Sequence, residues 1–163
     1  MAERWVANAS PLIVLSKINQ QQLLEQLADE LALPEAVLVE INAGPEEDAA
    51  RRYLAESPLP VVSVMPEPLV AAWDLGAGES AVLAHALAHP GWKAVVDDGA
   101  ARRCARALSI PVIGTLGIIL RARQARLVPA AAPLLKELLG AGFHLEDEVI
   151  RTALHEILAE EWP

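Results

Sequence analysis

Short apolar runs alternate with amphipathic stretches along most of the chain. Ala94-Val95-Val96 and Ile110-Pro111-Val112-Ile113 are continuous enough to predict strands of a parallel sheet, the first of them buried on both faces. Arg4-Trp5-Val6-Ala7 and Glu30-Leu31-Ala32-Leu33 read as further strands. Val61-Val62-Ser63-Val64-Met65 is assigned to a sheet edge, because prolines flank it. Between the strands the apolar period becomes helical. Ser10-Pro11 predicts a helix start, with Ser10 as cap, and Leu12 to Leu15 supply its buried face. Leu23 to Leu27 form one or two further turns, and Pro34 opens a helix over 35–42 that buries Val37, Leu38 and Ile41. Gly44-Pro45 breaks the chain before a polar helix at 46–56, and residues 66–73 allow about one turn. Leu75-Gly76-Ala77-Gly78-Glu79-Ser80 begins a helix that runs to about His89 and is nearly all apolar from Ala81 to Ala88. Further helices follow Asp98-Gly99 and cover residues 115–127, 132–139 and 146–161.

A β-α-β-α order between Trp92 and Gly117 implies parallel strands with a right-handed crossover, and ligands of such sheets sit beyond the carboxyl ends of the strands. Asp97 and Asp98 stand at one such end, and Asn8 at another. Asp98 has a simpler role as a helix cap. Glu79 falls in the first turn of its helix, where the dipole favours an anion, and Glu40 lies at the edge of an apolar face. His85 and His89 share a helix face, but no third ligand lies at zinc spacing nearby. Gly114-Thr115-Leu116-Gly117 lacks the lysine of a phosphate loop, so Thr115 reads as a helix cap.

Composition narrows the classes. The chain has 163 residues, 53% hydrophobic and 21% charged, which suits a single globular domain over residues 1–163. Its apolar runs are too short to cross a bilayer, no secretion signal is visible, and the lone Cys104 excludes an internal disulfide; a cytoplasmic protein is expected. The net charge of −9 disfavours a generic nucleic-acid binder. Against this, Arg102, Arg103, Arg106, Arg121, Arg123 and Arg126 crowd one region and offer a local phosphate-binding surface. A solvated face pairing with surface carboxylates accounts for them equally well.

Asn8-Ala9-Ser10-Pro11-Leu12-Ile13, Pro34-Glu35-Ala36-Val37 with Glu40-Ile41, and Leu75-Gly76-Ala77-Gly78-Glu79-Ser80 together resemble successive motifs of one family. Val96-Asp97-Asp98-Gly99-Ala100-Ala101-Arg102, Ile113-Gly114-Thr115-Leu116-Gly117-Ile118-Ile119 and Gly142-Phe143 continue the likeness over essentially the whole chain. The pattern is similar to a PIN-like family of prokaryotic proteins related to VapC-type toxins. The resemblance implies an α/β fold, a three-layer α/β/α sandwich with a central, mainly parallel sheet. It implies a metal-dependent endoribonuclease, the toxin of a toxin–antitoxin pair. Glu40, Glu79 and Asp97 would be catalytic, and Asn8, Glu40, Glu79, Asp97 and Asp98 would hold Mg2+ or Mn2+, hard cations suited to oxygen donors. Ser10, Arg102, Arg103, Arg106, Thr115 and Arg123 would contact RNA. A cognate antitoxin and a second copy in a homodimer are the implied protein partners. One departure is visible: the first acidic position, usually Asp, is Asn8 here, and an amide oxygen ligates without charge. A catalytically silent PIN-like module that binds RNA or a protein is therefore the alternative. A receiver-type phosphoacceptor fits less well, because its acidic pair belongs near the end of the first strand.

Overall fold

The computed structural model describes residues 2–162. Five strands, β1 (Arg4–Ala7), β2 (Glu30–Pro34), β3 (Val61–Val62), β4 (Trp92–Val95) and β5 (Val112–Ile113), form one sheet in the order β3-β2-β1-β4-β5. Every pairing is parallel. The chain therefore builds outward from β1 in one direction to β3, then returns to add β4 and β5 on the other side. The reversal lies between β1 and β4, where Trp5 pairs with Lys93 and Val6 with Ala94. Doubly wound sheets leave their ligand crevice at such a place.

Helices cover both faces in a three-layer α/β/α sandwich. They are α1 (Ala9–Lys17), α2 (Gln22–Leu27), α3 (Glu35–Asn42), α4 (Ala49–Glu56), α5 (Pro68–Ala71) and α6 (Ala77–Ala88), then α7 (Gly99–Ala107), α8 (Thr115–Gln124), α9 (Ala132–Gly140) and α10 (Asp147–Ala153). The core is aliphatic. Leu12, Leu15, Leu33, Leu83, Ile118 and Leu135 are all under 2% exposed, and Trp5 on the central strand is fully enclosed. Trp5 still satisfies its indole: Nε1 donates to Glu3 Oε2 at 2.9 Å, and Glu3 in turn meets Lys93 at 3.5 Å and Arg121 at 3.3 Å. Among the described residues, no helix is long and apolar enough to cross a membrane.

Several boundaries differ from the sequence expectation. The first helix begins at Ala9 with Asn8 as its cap residue, so Ser10 and Pro11 already lie in the first turn. Those first positions have no intrahelical acceptor for their N–H groups, which is why Pro11 is tolerated there. The helix expected at 46–56 starts at Ala49, because Asp48 accepts from Ala50 N at 2.9 Å and caps it. The edge strand shrinks to Val61–Val62. β4 starts earlier and stops at Val95, although Val96 N still donates to Ile113 O at 3.2 Å. The helix expected over 115–127 ends at Gln124, before Arg126 turns left-handed at φ 61°. The last helix is α only to Ala153; Leu154–Leu158 widens into a π turn and Ala159, at φ 54°, stops it.

Because Trp5 fills the middle of the sheet, Trp5→Ala is expected to lower unfolding free energy by about 3–5 kcal/mol, as measured by urea denaturation followed by circular dichroism. A loss below about 1 kcal/mol would mean that the core collapses around the vacancy.

A candidate acidic site at the sheet switch point

The site starts from one backbone bond. Asn8, one residue past β1, donates its N–H to Val95 O at 3.0 Å, so the ends of β1 and β4 are tied at the switch point. Its backbone is extended (φ −82°, ψ 165°), and its side chain does not cap α1. Asn8 is only 2% exposed, and among the described residues its Oδ1 has no hydrogen-bond partner. An orphaned buried amide oxygen costs on the order of 1–3 kcal/mol.

Gly78, in the first turn of α6, explains how that oxygen meets acidic neighbours. A Cβ at Gly78 would fall 2.9 Å from Asn8 Oδ1 and 3.5 Å from Glu40 Oε2. Only a glycine lets α6 approach so closely. Glu79 follows directly and folds back over Gly76, where a Cβ would stand 2.6 Å from its Oε2. Burial, and secondarily the Glu79 carboxylate, pushes the Glu40 carboxyl above its ordinary range. Glu40 keeps contact with solvent, which screens part of that repulsion.

Asp97 is held differently. Thr115 N donates to its Oδ1 at 2.7 Å and Thr115 Oγ1 to its Oδ2 at 2.5 Å. Thr115 is fully buried, so it neither caps α8, a place taken by Gly114, nor presents itself to RNA. Gly114 supplies clearance: a Cβ there would lie 2.8 Å from Asp97 Oδ1 and 2.6 Å from Arg102 Nη1. The Gly-Thr pair after β5 is thus a clamp for Asp97, a role that sequence spacing did not reveal. Asp98 behaves as a cap, accepting from Ala101 N at 2.9 Å.

Two open hollows flank this constellation. One, of about 370 Å3, is lined by Asn8, Lys17, Glu40 and Glu79. The other, of about 800 Å3, is lined by Glu79, Asp97, Asp98 and Arg102 and by the apolar Leu116, Leu145 and Val149. Ser10, Glu79 and Phe143 border both, so the hollows are neighbouring parts of one groove. The acidic residues are divided between them. Among the described residues, no three His, Cys, Asp or Glu side chains converge as a ready metal cluster.

The arginines do not form one surface. Arg102 lines the larger hollow and its Nη1 donates to Val96 O at 3.3 Å. Arg103 and Arg106 are exposed on the same helix. Arg123 lies 3.7 Å from Glu160, and Arg121 is drawn to Glu3. His85 and His89 stack with ring centroids 4.2 Å apart, and Trp92 meets His85 edge-on at 4.9 Å.

A fold with its crevice at the β1–β4 reversal, and carboxylates and an amide gathered there, has a counterpart among known families. A comparison with curated proteins finds no match. Residues 4–159 match a family described as a PIN domain, a nuclease-like fold. The match spans nearly the whole chain, and the protein belongs to the PIN-domain family.

Proposed function

We propose that this protein is a metal-dependent endoribonuclease acting as the toxin of a toxin–antitoxin pair. The observation that carries the reading is the orphaned Oδ1 of Asn8, buried beside Glu40, whose carboxyl is itself pushed up by burial and by Glu79. An unsatisfied neutral oxygen next to repelling carboxylates fits a hard divalent cation, Mg2+ or Mn2+, bound through oxygen alone. Asn8, Glu40 and Glu79 would hold it, with Asp97 and Asp98 sharing the larger hollow with Glu79. Such an ion supplies positive charge that activates a water and offsets charge on a phosphodiester.

The chain's own groups do the remaining work in this reading. Glu79 borders both hollows and, in this reading, accepts a proton from the attacking water. Thr115 fixes both oxygens of Asp97, so that carboxylate is oriented before RNA arrives. Arg102 stands beside Asp97 and draws the phosphate into a largely acidic groove. Ser10, at the mouth of both hollows, offers a hydroxyl to the RNA backbone. Arg103 and Arg106 extend the positive charge along α7, and Arg123 contributes only where RNA displaces Glu160.

A second reading, a silent PIN-like module that binds RNA or a partner, draws on two observations: Asn8 carries no charge, and the carboxylates are divided between two hollows. Cleavage of a mixed RNA pool with Mn2+ or Mg2+ separates the two. Asp97→Asn should remove metal-dependent cutting and growth inhibition. Thr115→Val, which keeps the shape but loses the hydroxyl, should lower cutting about 10- to 100-fold by freeing Asp97. Wild-type protein that cuts nothing, with or without Asn8→Asp, would favour the silent module.

The raised Glu40 carboxyl also sets a pH dependence. Folding opposes ionisation of this group, so the metal-free protein loses stability as pH rises from the ordinary carboxylate range to the raised value. Glu40→Gln should therefore melt higher than wild type in chelator at neutral pH, with the advantage fading in acid. Added Mn2+ should stabilise the wild type more than the variant. Thermal melts across pH, with and without Mn2+, check both statements.

The antitoxin and the homodimer need exposed apolar surface, and Met65, Leu69 and Trp73 provide it at 83%, 59% and 39% exposure. Size-exclusion chromatography should show a dimer that Leu69→Glu converts to monomer; a monomeric wild type would remove that partner.

A further inference from the structure

The lining of the larger hollow is divided in kind between charged residues, Asp97, Asp98 and Arg102, and apolar ones that include Leu145 and Val149, of which Val149 is 47% exposed. A nucleotide is divided in the same way, charged at the phosphate and apolar over the face of its base. Phe143, the chain's single phenylalanine, stands where the two hollows meet and borders both together with Glu79. Its ring is half-buried and packed against the core. Its attachment is fixed: Gly142 turns the chain at φ 98°, and Phe143 N donates to Leu138 O at 3.0 Å, anchoring the residue to the end of α9. A held aromatic ring at the edge of an acidic groove has no part in the proposed chemistry.

Resting on the ribonuclease reading, we infer that Phe143 is a stacking platform for one unpaired base of the RNA, adjacent to the phosphate drawn in by Arg102. Stacking requires the base to be splayed out of any helix, so the substrate at this point is single-stranded. A volume of about 800 Å3 lies within the range of ordinary ligand sites. Because every base has a π face, the platform recognises the presence of a base rather than its identity.

The test is binding of a short labelled single-stranded RNA to the full chain in Ca2+, followed by fluorescence anisotropy. A second RNA carries an abasic nucleotide in turn at each position. For wild type, one abasic position should weaken binding roughly tenfold. Phe143→Leu, which keeps apolar packing on the core, should bind the intact RNA about as weakly as wild type binds that abasic RNA, and should lose the discrimination. Phe143→Trp should retain it. Equal affinity for all abasic RNAs, unchanged binding by Phe143→Leu, or no RNA binding at all would overturn the inference. Cleavage in Mn2+ is scored separately. Cutting with base-independent binding sinks the platform alone, whereas base-dependent binding without cutting keeps the platform and sinks the nuclease.

Discussion

The parallel pairing of β1 with β4 is the constraint on which the rest of the site depends. It places Asn8 and Asp97 at adjacent strand ends although most of the first hundred residues separates them, and the Asn8 N–H to Val95 O bond closes that junction. Everything acidic then arrives by packing onto the same end: α3 brings Glu40, and the glycine-lined start of α6 brings Glu79. A one-residue slip between β1 and β4 would mismatch the side chains of Trp5, Val6, Ala94 and Val95 on both helix-covered faces, so that enclosed core enforces the register that the site needs.

The two halves of the site are stabilised by opposite means. Around Asp97 every oxygen has a donor, and the buried hydroxyl of Thr115 is spent on it. Around Asn8 a buried amide oxygen is left without a partner, a cost offset by the aliphatic core, while Glu40 beside it keeps contact with solvent. Folding energy thus holds open a place where opposite charge would be welcome. The same logic does not reach the arginines. Arg121 and Arg123 are neutralised by Glu3 and Glu160, which leaves α7 as the positively charged margin of the groove.

Strand and helix identity was legible because buried strands and half-buried helices have different apolar periods. The runs at Arg4 and Ala94 and the breaks at Gly44-Pro45 and Asp98-Gly99 all mark real transitions. Less legible was what depends on partners distant in sequence. Ser10 and Thr115 both look like caps locally. Whether a hydroxyl caps its own helix or reaches a carboxylate on another strand is decided by the sheet, and Thr115 finds Asp97 across 18 positions. The steric reason for Gly78 and Gly114, the close approach of Asn8, Glu40, Asp97 and Arg102, likewise comes from residues distant in sequence. Arg123 looked available because its counter-ion, Glu160, sits in a tail expected to be plain helix.

The Thr115 clamp on Asp97 has a consequence in conformational entropy. An exposed aspartate samples several rotamers, and any ligand that needs one of them must freeze the rest on arrival. Here that freezing happens when the chain folds, long before a ligand enters the groove. Asp97 is therefore a rigid electrostatic fixture, and variation at position 115 would be felt as blurring of the carboxylate's position rather than as loss of its charge.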